Sequence, residues 1–146
     1  MIRLLAIDRD LLTRQTIRRA LSRPTYAVSL AESGSIGMER YRRGLHDLVI
    51  TDLLMPGREG ALTVIELRAL APLLPILVIS GDGRIFRRDQ LLEQAQELGA
   101  TATLAKSFTA DELRAAVSRC LPWGSNIRDV ERGLANMGTT AESAAA

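Results

Sequence analysis

Cysteine, lysine and aromatic side chains are scarce in this sequence of 146 residues. The single cysteine, Cys120, excludes an internal disulfide and a cysteine-based zinc cluster. Aromatic residues make up 3% of the chain, which argues against a nucleic-acid-binding surface despite a net charge of +2. No apolar run has the length of a membrane span, and the N-terminus lacks the pattern of a signal peptide. We therefore expect a cytoplasmic protein that does not enter a membrane.

The overall composition is that of an ordinary globular domain, since 47% of the residues are hydrophobic and 25% are charged. A chain of this length forms one domain and buries a sizeable core without a disulfide or metal. Of its 19 basic residues only Lys106 is a lysine. A single ammonium group in a chain so rich in arginine makes Lys106 a candidate functional residue.

Apolar runs of strand length alternate with stretches of helical periodicity. The predicted strands cover residues 2–7, 26–30, 48–51, 75–80 and 101–105. The predicted helices cover residues 11–21, 33–43, 61–70 and 90–98, and a last helix follows the capping box of Thr109 and Glu112. Strands that alternate with helices form a parallel sheet covered on both faces. The sequence thus predicts a doubly wound α/β fold with a five-stranded parallel sheet.

Polar side chains stand at the ends of four predicted strands. Asp8 and Asp10 follow the first strand, Asp52 the third, Ser80 the fourth and Lys106 the fifth. Ligands of open parallel sheets bind beyond the carboxyl ends of the strands. We expect these side chains to line one crevice.

These residue types suit the transfer of a phosphoryl group to a carboxylate. An exposed Asp52 can act as the nucleophile, and Lys106 can place a point charge beside the phosphoryl oxygens. Ser80 can donate a hydrogen bond to the phosphoryl group once it is present. Asp8 can help to hold Mg²⁺, which prefers a few carboxylates together with water and phosphate.

Four segments resemble the receiver domain of bacterial two-component systems. They are Leu-Leu-Ala-Ile-Asp at 4–8, Asp-Leu-Val-Ile-Thr-Asp-Leu-Leu-Met-Pro at 47–56 with Gly60, Ile-Ser-Gly at 79–81, and Lys106 with Phe108. The resemblance covers residues 2–121, and the Asp-x-x-Met-Pro-x-x-x-Gly stretch from Asp52 is specific on its own. It implies a flavodoxin-like sheet with strand order 2-1-3-4-5. The loop after Ser80 and the short tail are similar to those of stand-alone receivers without an output domain.

By this resemblance, Asp52 is the phosphoacceptor, Ser80 the switch hydroxyl and Lys106 the lysine of the site. Asp8, Asp52 and the backbone carbonyl of Leu54 are the implied ligands of Mg²⁺. The implied partners are a sensor histidine kinase or phosphotransfer protein and a downstream protein target. Catalysis would be limited to the chain's own phosphorylation and dephosphorylation, so we do not expect an enzyme.

Three positions depart from the family pattern. Arg9 stands where the family has a second acid, and Asp10 more naturally caps the following helix. A guanidinium about 4 Å from Asp52 would gain roughly 4 kcal/mol at an effective dielectric near 20, before desolvation. We hypothesise that Arg9 partly replaces the metal and makes Mg²⁺ binding weak. The aromatic switch position is Thr103, and the proline after the lysine is Ser107.

Two alternative functions stay open. Arg9 and Thr103 would fit a pseudo-receiver, a binding module that works without phosphorylation. A phosphatase of the haloacid dehalogenase type would use Asp8 as its nucleophile, with Ser80 and Lys106 in its next two motifs. The last acidic motif of that family does not follow Lys106, and the family leaves the motif at Asp52 unexplained.

The receiver domain is expected to cover residues 1–121, with residues 122–146 as a C-terminal tail. Apolar residues could line one face of a short helix over 126–137, and they are Ile127, Val130, Leu134 and Met137. Because a tail of this length is too short for a DNA-binding domain, we expect none in it. Whether the chain forms a homodimer is left open by the sequence.

Overall fold

The computed structural model describes residues 1–53, 59–81 and 88–121. Its strands are β1 (Ile2–Ile7), β2 (Tyr26–Ala31), β3 (Leu48–Asp52), β4 (Ile76–Ser80) and β5 (Ala102–Ala105). Its helices are α1 (Leu11–Ala20), α2 (Gly34–Arg43), α3 (Glu59–Leu70), α4 (Arg88–Glu97) and α5 (Ala110–Cys120). Strands and helices alternate along the chain, as the hydrophobic periodicity predicted.

The five strands form one parallel sheet in the order β2-β1-β3-β4-β5. This order confirms the doubly wound, flavodoxin-like prediction. The chain first winds from β1 to the edge strand β2 and then returns past β1 to β3, so the direction of winding reverses between β1 and β3. Such a reversal opens a crevice at the carboxyl ends of the two strands.

The sheet separates two hydrophobic cores. On one face Leu4 and Ala6 of β1 pack with residues of α1 and α5, including Cys120. On the other face Leu5 and Ile7 pack with residues of α2, α3 and α4. Because consecutive side chains of a strand point to opposite faces, a strand buried on both sides is a continuous apolar run. This explains why β1, β3 and β4 could be predicted as strands from the sequence.

Three helices begin at side-chain caps. Asp10, Ser33 and Thr109 each accept a hydrogen bond from a backbone N–H in the first turn of α1, α2 and α5. The box formed by Thr109 and Glu112 is present with both of its hydrogen bonds, as predicted.

Helix α3 begins at Glu59, two residues before the predicted start. Gly60 lies directly against the backbone carbonyls of Asp52 and Leu53, where a Cβ atom would overlap them. The absence of a side chain at Gly60 therefore lets the first turn of α3 approach the end of β3. This close approach is the physical reason for the glycine of the Met-Pro-x-x-x-Gly motif.

Some predictions fall on residues outside the described parts of the chain. They are the carbonyl of Leu54, the C-terminal tail and its short helix over 126–137. Within the described ranges, none of the helices has the length and apolar character needed to cross a lipid bilayer.

Candidate functional site

Lys106 joins two carboxylates at the carboxyl edge of the sheet. Its Nζ donates a hydrogen bond of 2.8 Å to Oδ2 of Asp52, and it lies 2.8 Å from Oδ2 of Asp8. Asp8 directly follows β1, Asp52 ends β3, and Lys106 directly follows β5. Residues far apart in sequence thus meet at one point, as the strand-end argument predicted.

The backbone brings Lys106 to this point by continuing the sheet. Its N–H donates to the carbonyl of Ser80 over 2.8 Å, which extends the β4–β5 pairing by one residue. The peptide bond between Lys106 and Ser107 is cis.

Asp8 is fully buried, and its two carboxylate oxygens have different surroundings. Oδ1 accepts a hydrogen bond of 2.8 Å from the backbone N–H of Asp10. Oδ2 has the ion-pair contact with Lys106 but accepts no hydrogen bond of good geometry from the described residues. One oxygen is therefore held in place, while the other has lone pairs to offer a cation.

Asp52 is also buried, with a side chain that is 7% exposed. The sequence-based expectation of an exposed carboxylate is wrong for this structure. The physical reason is its position as the last residue of a central strand, between β1 and β4, with the ammonium group of Lys106 on its Oδ2.

The charge of Lys106 is stabilised by the two acids. Burial on its own would lower the pKa of Lys106, but the hydrogen bond to Asp52 and the close negative charges of Asp52 and Asp8 outweigh burial and raise the pKa above its usual value. The ammonium form is therefore the one that occupies the site at neutral pH.

Asp10 caps α1 and does not join the carboxylate pair. Its Oδ2 accepts hydrogen bonds from the backbone N–H of Thr13 at 3.1 Å and from its hydroxyl at 2.8 Å. These bonds lower the pKa of Asp10, with the bond from the Thr13 hydroxyl as the largest cause. The preferred interpretation of Asp10 as a helix cap agrees with this geometry.

Arg9 is exposed, and its side chain forms no ion pair with a described residue. The expected guanidinium beside Asp52 is therefore not found, because Lys106 supplies the cation there. Nη1 of Arg14 donates hydrogen bonds to two backbone carbonyls, those of Asp8 and Arg9. Arg14 thus ties down the loop between β1 and α1.

Ser80 and Thr103 lie on the neighbouring strands. Ser80 is fully buried at the end of β4, one residue beyond Ile79, the register partner of Asp52. Its hydroxyl has a long contact of 3.4 Å with the carbonyl of Gly81. Thr103 is half-buried in β5 beside Val78. The roles of Ser80 and Thr103 as switch positions remain predictions.

The donor set fits Mg²⁺ with few protein ligands. Hard oxygen atoms are what this ion prefers, and it keeps several waters when it binds to one or two carboxylates. Asp8 and Asp52 provide two carboxylates within reach of one ammonium group, and Oδ2 of Asp8 is a buried acceptor without a hydrogen bond. Among the described residues there is no cluster of three or more metal-ligating side chains.

Sequence reasoning missed two features of this site. It placed the ammonium group of Lys106 near Asp52 and the phosphoryl oxygens, but it did not predict the contact of Lys106 with Asp8. Asp8 and Asp52 had both been identified as strand-end residues. It also missed Arg14, because an arginine six residues after Asp8 on a helix belongs to no motif and its acceptors are backbone carbonyls.

Comparison with known proteins gives a consistent set of similarities. A family model described as "Response regulator receiver domain" matches residues 4–118. The response regulator MprA of Mycobacterium leprae is 34% identical over 122 residues, which are 82% of this chain and 51% of that protein. The chain therefore spans about half the length of this curated relative.

Solved structures agree on the fold. The chemotaxis response regulator CheY4 of Vibrio cholerae superposes with a TM-score of 0.73 at 25% identity, over 83% of this chain and 99% of the other. The response regulator TrrA of Thermotoga maritima, solved in complex with Mg²⁺ and BeF, superposes with a TM-score of 0.68 at 28% identity, over 83% of this chain and all of TrrA.

Proposed function

The chain belongs to the response regulator receiver family, and from this premise we propose that it accepts a phosphoryl group on Asp52 in two-component signal transduction. The observation that carries the proposal is the 2.8 Å hydrogen bond from Lys106 to Asp52, which joins residues 54 positions apart. A partly buried lysine on a strand-end carboxylate is the charge arrangement that an acyl phosphate needs.

The transfer step uses groups of this chain on both sides of the new bond. An oxygen of Asp52 attacks the phosphorus, the P–N bond of the donor's phosphohistidine breaks, and the histidine nitrogen keeps the electron pair. Lys106, already beside Asp52, neutralises charge on the phosphoryl oxygens, and the Ser80 hydroxyl can leave its long contact with Gly81 to donate to one of them. When bound at Asp8 and Asp52, Mg²⁺ supplies further positive charge.

We further propose that the chain catalyses no reaction beyond its own phosphorylation and dephosphorylation. Its partners would be a histidine kinase or phosphotransfer protein as donor and a protein target as receiver of the signal. A cytoplasmic location suits a chain with one cysteine, which is buried and free. A DNA-binding role is not part of the proposal.

Mass spectrometry of the chain after treatment with acetyl phosphate and Mg²⁺ tests the proposal. We expect the mass of one phosphoryl group to be added to the wild type and to Asp47→Asn, a control at an exposed acid, but not to Asp52→Asn. Alkali-labile phosphate mapped to Asp8 would favour the phosphatase alternative. No labelling of the wild type by acetyl phosphate or by a phosphorylated kinase would favour the pseudo-receiver.

Calorimetric titration with Mg²⁺ tests the hypothesis that binding is weak because position 9 carries no acid. We expect Arg9→Asp to bind Mg²⁺ more tightly than the wild type, because a third acid joins Asp8 and Asp52. Arg9→Ala separates the loss of the positive charge from the gain of a ligand. Equal affinities in the wild type and in Arg9→Asp would contradict the hypothesis.

A further inference from the structure

Helix α3 carries a row of exposed apolar side chains that the phosphoryl site does not use. The exposed fraction is 47% for Leu62, 47% for Ile65 and 55% for Leu70, and it reaches 95% for Leu73 just beyond the helix. Ala69 is exposed between them. We call this set the α3 stripe, and it consists of Leu62, Ile65, Ala69, Leu70 and Leu73.

The α3 stripe is not needed to attach the helix to its own domain. Val64 and Leu67, on the inner face of α3, are fully buried in the core. The outer face of a surface helix is normally polar. On α3 the one charged side chain among the exposed residues 60–70 is Glu66. A contiguous apolar surface of this kind marks an interaction site.

One ion pair borders the stripe near its middle. Nη2 of Arg42 on α2 lies 3.8 Å from Oε2 of Glu66, and the two side chains are 60% and 50% exposed. A pair so exposed contributes little to the stability of the single chain. A partner that presents an acid to Arg42 and a base to Glu66 can therefore replace this pair at little cost.

A cleft of about 360 Å³ runs between α2 and α3, and its walls include Met38 and Leu62. The cleft adjoins the Leu62 end of the stripe, whereas the protruding Leu73 lies at the other end. The last residue of the helix lies eight positions after Leu62, or about 12 Å at helical rise, and Leu73 lies beyond that end. The charged side chains of Arg42 and Glu66 also line the cleft, so the surface has a cleft of mixed polar and apolar character at one end and an apolar projection at the other.

We propose that the α3 stripe is the contact between two copies of this chain, with the two α3 helices packed antiparallel about a twofold axis. In this arrangement Leu73 of each copy meets Leu62 and the cleft of the other. Ala69, near the centre, lets the helices approach closely. Because α2 lies on the same side of both helices, Arg42 of each copy faces Glu66 of the other. The same surface thus carries both members of each contact, the two leucines and the two opposite charges, as a twofold interface requires.

The size of the stripe sets the expected strength. An interface of one or two helices per copy lies at the small end of specific interfaces, at about 600 Å² per partner or less. We therefore expect a dimer that dissociates in the micromolar range, so that dimer and monomer exchange with concentration.

Sedimentation equilibrium of the full chain across micromolar concentrations measures the dimer directly. We expect Leu73→Glu to weaken dimerisation by about tenfold or more, as for a central apolar contact. Since Leu73 is almost fully exposed, this variant should fold normally, which circular dichroism checks. The matched control is Leu45→Glu, the same change at a leucine that is 84% exposed and lies outside the stripe, and it should leave the dissociation constant unchanged.

Two further measurements test the antiparallel register. Arg42→Glu and Glu66→Arg should each weaken the dimer, and the double exchange should restore it. In the double variant Leu62→Cys/Leu73→Cys, oxidation should link position 62 of one copy to position 73 of the other, because the two positions of one chain are too far apart for a disulfide.

The proposal fails if the wild type remains a monomer at the highest concentrations, which would assign the stripe to a different protein. It also fails if Leu73→Glu and Leu45→Glu dimerise equally, or if oxidation links only equivalent positions. These outcomes are independent of whether Asp52 accepts a phosphoryl group.

Discussion

Replacing Lys106 by methionine leaves two buried carboxylates without the cation that contacts both of them. The side chains of Asp8 and Asp52 are 1% and 7% exposed, and each Oδ2 lies 2.8 Å from Nζ of Lys106. The two oxygens are therefore at most about 5.6 Å apart, which is twice 2.8 Å. At an effective dielectric near 20, two like charges at that distance repel by about 3 kcal/mol.

The expected cost of Lys106→Met follows from this repulsion. Breaking a buried pair by removing one partner costs about 3–5 kcal/mol, and the 22% exposure of the lysine side chain places the expectation at the lower end. We therefore expect the free energy of unfolding to fall by about 3 kcal/mol at pH 7.

Urea denaturation of the wild type and three variants checks this reasoning. Adding Asp52→Asn to Lys106→Met should recover most of the lost stability, because only one buried charge remains. The control is Arg43→Met, which removes the 2.7 Å ion pair between Arg43 and Glu39. The side chains of Arg43 and Glu39 are 79% and 58% exposed, so the loss of this pair should cost less than about 1 kcal/mol. If Lys106→Met costs no more than Arg43→Met, the buried-charge argument is refuted.

Three other outcomes follow from the geometry. Thr109→Ala removes the cap of α5 and should lower the free energy of unfolding by about 1 kcal/mol in thermal or urea denaturation. Gly60→Ala forces a Cβ into the carbonyl of Leu53 and should cost about 1–3 kcal/mol and slow phosphorylation by acetyl phosphate. Burial, followed by the charge of Arg3, lowers the pKa of His46, so its contribution to stability is complete above its ordinary pKa and is lost as the pH falls below it. His46→Gln should therefore show a flatter stability profile than the wild type between about pH 7.5 and 5.

Local signals were sufficient to predict the fold. The apolar runs of β1, β3 and β4 are buried on both faces, and their length of 5 or 6 residues is that of a strand and too short for an ordinary helix. Capping residues marked the starts of α1 and α5 in the sequence because a cap is a bond within one turn. The start of α3 was missed because it depends on the contact of Gly60 with β3, which is not local.

The sequence predicted which residues form the site but not which of them contact each other. Strand ends converge by topology, so Asp8, Asp52, Ser80 and Lys106 could be grouped from the order of elements alone. Which acid a long lysine side chain touches depends on the spacing of neighbouring strands, and here it touches two. The burial of Asp52 likewise results from packing around a central strand, which a one-dimensional pattern does not contain.

The net charge of the pocket gives a reason to expect weak Mg²⁺ binding, and this reason differs from the one that the sequence suggested. From the sequence, we expected the guanidinium of Arg9 to lie in the pocket and to weaken Mg²⁺ binding, but Arg9 is exposed. Asp10 is engaged with Thr13 at the start of α1, so the only described acids on Lys106 are Asp8 and Asp52. Two carboxylates and one ammonium leave one net negative charge, where a third acid would leave two. The pocket therefore attracts a divalent cation less strongly. The cause is the acid that is missing at position 9, not an ion pair that competes with the cation.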